Sequence, residues 1–228
     1  EAISLCRQKR FHEVLEKCRY TSLDDEEEYS IDVIQPEKIE FKQNSYEDGE
    51  NSIISFPEFL LLVLDVCTGG EQPASHYQPD KLIEKFDALK TYFTAGEFYE
   101  KMLYYRLLLD YYTIRRDIKD GQGNYSLILK GPKDDSDKLK QYQSMLYVST
   151  EAFYNWLKPY LRKLEQDELH SCAEMLAFLK KEDNERHSIL PARKDLSYKA
   201  SGNIRYWFWR LDYYLWEQRS TFFNEEEQ

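Results

Sequence analysis

The basic side chains are the groups in this sequence best placed to act on a ligand. Arg106, Arg115 and Arg116 fall on one predicted long helix, and Lys199, Arg205 and Arg210 gather at the start of a tryptophan-rich one. An arginine set among aromatic rings can stack on an unpaired base or clamp a phosphate. These six are therefore the candidate DNA-binding residues. The same side chain can also pair with a carboxylate and lay its stem over the core. A formal net charge of −11 favours that second use, because an acidic surface repels the phosphate backbone at long range.

Other reactive types are present but badly spaced. His170 and Cys172 lie two apart on a predicted helix and so point to different faces. Cys6, His12 and Cys18 are six apart, unlike the close ligand pairs of zinc sites. The run Asp24 to Glu28 reads as a solvated acidic face, and Gly121 with Gly123 makes a lone GxG without the strand a phosphate loop needs. No catalytic residue and no metal ligand is assigned, and no cofactor is expected.

The elements that must position these groups are helical. Only 8 glycines and 7 prolines occur in 228 residues, too few breakers for a many-turned β protein. Aromatic residues reach 15%, with 19 tyrosines, enough to build a core without staples. The four cysteines form no CxxC pair and read as reduced thiols of a cytoplasmic protein. The first twenty residues are too charged for a signal peptide, and the apolar run Phe59 to Leu64 is too short to cross a bilayer, so no membrane partner is expected.

In chain order, residues 1–20 read as a helix, followed by the acidic run, an extended segment around Pro36 and a polar linker. The division expected is 1–51, a tail of a preceding domain, and 52–228, a helical domain. Ser55 caps a helix that Thr68-Gly69-Gly70 stops. Asp80 is expected to cap the next, from Lys81 to Tyr92. A long helix is expected over 94–117, and Tyr125 to Leu129 as a short strand or a hydrophobic tie. Further helices are read over 138–148, 150–165, 167–181 and 201–219. In the last, Ile204, Trp207, Phe208, Leu211 and Leu215 form one apolar row and Tyr206, Trp209, Tyr213 and Trp216 a second. A helix apolar over so much of its circumference is expected to be the buried central rod. The fold class expected is all-α, an irregular multi-helix bundle with at most a short strand or hairpin.

Four segments carry a family resemblance. ISFPEFLLLVLDV (54–66), EFYEKMLYYRLLLDYYTIRRD (97–117), LKQYQSMLYVS (139–149) and IRYWFWRLDYYLWEQR (204–219) resemble, in the same order, the middle region of bacterial GmrSD-type proteins. Members of that family join an N-terminal ParB-like domain to a C-terminal His-Asn-His nuclease, use nucleotide and cut phage DNA carrying modified bases. Neither catalytic signature occurs here. The resemblance therefore implies a non-catalytic helical connector, a piece of a longer protein whose partners are the flanking domains of the same chain and, through a local basic patch, DNA. The alternative reading is an independent helical module that docks a protein partner.

Overall fold

The computed structural model describes residues 2–18, 49–119, 124–133, 136–149, 151–189 and 204–222. Helices take up 70% of these, which makes the fold mainly α, and a small antiparallel sheet completes it. The helices are α1 (Ala2–Arg7), α2 (Phe11–Cys18), α3 (Phe56–Cys67), α4 (Leu82–Leu89), α5 (Ala95–Tyr112), α6 (Ser136–Val148), α7 (Phe153–Glu165), α8 (Cys172–Arg186), α9 (Ile204–Glu217) and the short α10 (Arg219–Phe222). The strands are β1 (Gly49–Ser52), β2 (Ile114–Ile118) and β3 (Tyr125–Leu129).

Local chemistry sets most helix starts. Ser55, Thr94 and Ser171 each accept the backbone N–H of a glutamate three residues on, and Glu58, Glu97 and Glu174 each return a bond to the cap's own N–H. Each pair thus satisfies two backbone donors that a helix start leaves open. Asp80, by contrast, is not a cap. It lies in a 3-10 turn over Pro79–Lys81, and α4 starts at Leu82 without a side-chain cap. The stop after α3 is as expected: Thr68 is the C-cap, and Gly69 and Gly70 take φ of 103° and 80°. The positive φ is what calls for glycine at both positions.

Three expectations need correction. The N-terminal segment is two helices, broken where Lys9 takes a φ of 57°. The long helix ends at Tyr112, and the residues after it form β2. The strand pairing is larger than a hairpin, because the polar segment Gly49–Ser52 pairs antiparallel with β2, Gly49 opposite Ile118 and Ser52 opposite Arg115. Backbone groups, not side chains, make that strand, so no apolar alternation announced it. Gln143 of α6 secures the turn from helix to strand. Its amide oxygen accepts Ile114 N–H at 2.9 Å and its amide nitrogen donates to Tyr112 C=O at 3.0 Å.

The centre of the fold is α3, not α9. Leu61, Leu62, Val63 and Leu64 have no exposure and Phe59 has 1%, with Tyr105, Leu108, Trp156, Tyr160 and Leu161 packed into the same core. α9 lies at the flank against α6, with Tyr206 and Tyr213 inward and Trp209 and Leu211 38% and 50% exposed. The inward residues come from the second apolar row, not the first. The reason is polar: the Tyr206 hydroxyl reaches the buried Asp183 carboxylate of α8, and the Lys180 ammonium of α8 lies over the Tyr213 ring.

Replacing Gln143 by Leu keeps the volume but strands a buried N–H. We expect a loss of about 2–4 kcal/mol in urea unfolding, with the fold retained by circular dichroism.

Candidate functional site

Five of the six basic positions lie among the described residues, Arg106 on α5, Arg115 and Arg116 on β2, and Arg205 and Arg210 on α9. Arg106 donates to Asp110 at 2.8 Å within α5. Arg115 on β2 lies 3.5 Å from both Asp110 and Glu50 and donates to the Glu50 carbonyl at 2.9 Å. Arg116 forks onto the Ser52 carbonyl at 2.9 and 3.2 Å. Arg115 and Arg116 fasten β2 to β1, and Arg115 also reaches Asp110 near the end of α5. Arg210 on α9 donates to the Tyr206 hydroxyl at 2.7 Å and to Asn184. Arg205 is exposed on the first turn of α9, and Lys199 lies outside the described residues.

The polar chemistry of the molecule lies instead in acidic side chains held between helices. Asp65, wholly buried on α3, accepts from the Tyr77 hydroxyl, from Gln72 N–H at 2.9 Å and from Lys158 of α7 at 3.0 Å. Lys158 also donates to the Gly70 carbonyl at 3.1 Å, and its ammonium lies 5.7 Å from the centre of the Tyr77 ring. Glu165 at the end of α7 accepts from Tyr105 at 2.7 Å and from Lys101, both on α5. Asp183 on α8, also without exposure, accepts from Tyr142 of α6 at 2.6 Å and from Tyr206 of α9 at 2.8 Å. Glu217 on α9 accepts from Lys180 of α8 at 2.6 and 2.9 Å and from Tyr213 at 3.0 Å.

Burial and the neighbouring negative charge together hold the Tyr77, Tyr105, Tyr142, Tyr206 and Tyr213 hydroxyls far above the ordinary phenol range. They are therefore permanent donors at any physiological pH. A carboxylate with two or three fixed donors is a structural tie.

A cavity of about 650 Å³ opens beside one tie, where α1, α5 and the end of α7 meet. Arg7 crosses it, donating to Tyr104 at 3.2 Å and to the Leu164 carbonyl at 3.2 Å and pairing with Asp167 at 2.6 Å. Cys67 lines the same cavity, and burial pushes its thiol up to about 11, so it stays protonated and a poor nucleophile. Among the described residues no group of three or more His, Cys, Asp or Glu has the arrangement to hold a metal ion. His170 and Cys172 do not share a helix as expected, because α8 starts only at Cys172; His170 is exposed before its Ser171 cap and Cys172 is buried. His12 is exposed, Cys6 buried and the side chain of Cys18 lies outside the described set.

Sequence reasoning missed Asp183 and the tyrosines that meet it. Asp65 had a legible signal, a lone acid in the apolar run FLLLVLDVC. Asp183 sits in KKEDNER, where nothing marks one acid as buried. Compared with models of protein families, with characterised proteins and with solved structures, the chain matches none.

Two outcomes check the ties. Tyr142→Phe and Tyr206→Phe should each lower stability by about 2 kcal/mol, and Asp183→Ala by about 3–5 kcal/mol because two buried hydroxyls lose their acceptor and Arg210, 3.9 Å away, loses a neighbouring carboxylate, all read by urea denaturation. Burial alone would push Glu217 up, but the bonds from Lys180 and Tyr213 outweigh it and the carboxyl is held below its ordinary range. Its contribution to stability is thus full above the unfolded carboxylate range and falls away as pH drops through the folded value. Midpoint temperatures from pH 7 to pH 3 should fall less steeply in Glu217→Gln than in the parent chain.

Proposed function

We propose that this chain is a non-catalytic helical scaffold of a GmrSD-type anti-phage restriction protein, a rigid spacer between a nucleotide-using domain and a His-Asn-His nuclease. The observation that carries the reading is the set of helix-to-helix carboxylate ties. Asp65, Glu165 and Asp183 are each committed to donors from other elements of the same chain. Interior charge is used to fix helices relative to one another, which is what a spacer requires. The four segments that carry the family resemblance also fall on paired helices. Those of α3 and α5 pack together, and so do those of α6 and α9.

DNA contact, in this reading, is confined to the end of α9 where Arg205 is exposed and to Lys199 before it. The second reading, a module that docks a protein partner, draws on the exposure of Trp209 and Leu211 along α9. Among the described residues, no helix is long and apolar enough to cross a membrane.

The purified chain should neither cut DNA nor hydrolyse nucleotide with or without magnesium. Reproducible metal-dependent turnover would overturn the scaffold reading. Lys199→Ala with Arg205→Ala should weaken retention of duplex DNA and flatten its salt dependence. If retention is unchanged while Trp209→Ala with Leu211→Ala abolishes capture of the flanking domains, the contact surface is protein-facing and the DNA assignment is wrong.

A further inference from the structure

The end of α8 carries a ring of charged groups that the ties described above leave incomplete. Glu151, just before α7, is 7% exposed at its side chain, and Asp183 is fully buried. Arg186 and His187 close the ring. The Arg186 Nε is 3.8 Å from Glu151 Oε1, and its Nη2 is 3.9 Å from Asp183 Oδ1. The His187 Nε2 is 3.4 Å from Glu151 Oε2 and 3.8 Å from the same Asp183 Oδ1. Every one of these is an ion-pair approach and none is a hydrogen bond. Asp183 Oδ1, Arg186 Nε and Nη2 and His187 Nε2 are all buried and have no hydrogen-bond partner among the described residues.

The ring is held from outside. Asp183 Oδ2 is already taken by Tyr142 and Tyr206, so Oδ1 is the oxygen that faces inward. Arg186 Nη1 donates to the Asn155 carbonyl at 2.7 Å, which turns the Nε and Nη2 edge towards the two carboxylates. The imidazole of His187 stacks on Tyr206 at 3.9 Å between ring centres and meets Trp207 edge-on. Its backbone N–H is bonded to the Asp183 carbonyl at 3.0 Å. Glu151 is held too, its Oε1 accepting from the Asn155 side-chain amide at 2.8 Å.

We propose that this ring is a binding site for one internal water molecule. Gaps of this size around a ring of atoms leave a point about 3 Å from each, which is hydrogen-bond distance. A buried water takes up to four polar partners, and such a site must be polar on all sides. The donor count closes with water and with little else. Water accepts from the Arg186 Nε and Nη2 edge, donates one proton to Asp183 Oδ1, and has its second proton for Glu151 or His187. A bare cation would face the arginine, and an anion would face two carboxylates. The water then joins the segment before α7 to the end of α8 and, through Asp183, to α6 and α9.

Water-oxygen magnetic relaxation dispersion counts internal waters of long residence in the intact chain. His187→Phe should lose the amplitude of one such water. A high-resolution crystal structure of the parent chain should show one solvent peak bonded to Glu151, Asp183, Arg186 and His187, and it decides the matter even if the variant fails to fold. An unchanged amplitude in a folded His187→Phe, direct contact between the four groups, or an ion in the ring would each overturn the proposal.

Discussion

A carboxylate taken out of water must be given donors at once, and that demand shapes this molecule. The cost of an uncompensated buried charge is several kcal/mol, comparable with the whole stability of a domain. Asp65 and Asp183 are both fully buried, and each is met by tyrosine hydroxyls and a cation or a second hydroxyl from another element. Because the donors come from different helices, satisfying the charge and assembling the helices are one event. The apolar core supplies the drive to collapse, and the carboxylates select which arrangement of helices is accepted.

Tyrosine suits this role better than lysine or serine would. Its ring adds apolar area to the core while its hydroxyl reaches a polar partner at the far end. Tyr142 shows both uses, packing edge-on against Tyr213 at 4.9 Å while donating to Asp183. The pattern repeats along α9, where Tyr206, Arg210, Tyr213 and Glu217 recur on one side of the helix and meet Asp183, Asn184 and Lys180 of α8. That polar stripe decides which side of α9 turns inward. It leaves Trp209 and Leu211 outside despite their greater apolar character.

The same economy governs the arginines read from the sequence as DNA contacts. Arg106, Arg115 and Arg116 sit beside Asp110, Glu50 and the Ser52 carbonyl, and the sheet edge is fixed by those contacts. A guanidinium offers five donors in a rigid fork, so one arginine can hold a backbone carbonyl and a carboxylate together. Arg115 does this with Glu50 alone, through its carbonyl and its side chain. Charge counted along the sequence gives the supply of donors and acceptors but not their pairing.

Much of the helical layout was written locally. Ser55 with Glu58, Thr68 with two glycines and the scarcity of breakers are short-range signals, and a helix end depends on residues three or four positions away. The sheet was not legible in that way, because β1 exists only through backbone bonds to a strand sixty-odd residues later. Nor was the inward face of α9. Its two apolar rows are equivalent within the helix, and they differ only once Asp183 and Lys180 stand opposite one of them. Composition and periodicity thus determined that the chain makes capped helices around an aromatic core. Which acids are buried, which hydroxyls meet them and which tryptophans face outward was decided by tertiary structure, since a charge's partners are set by distance in space.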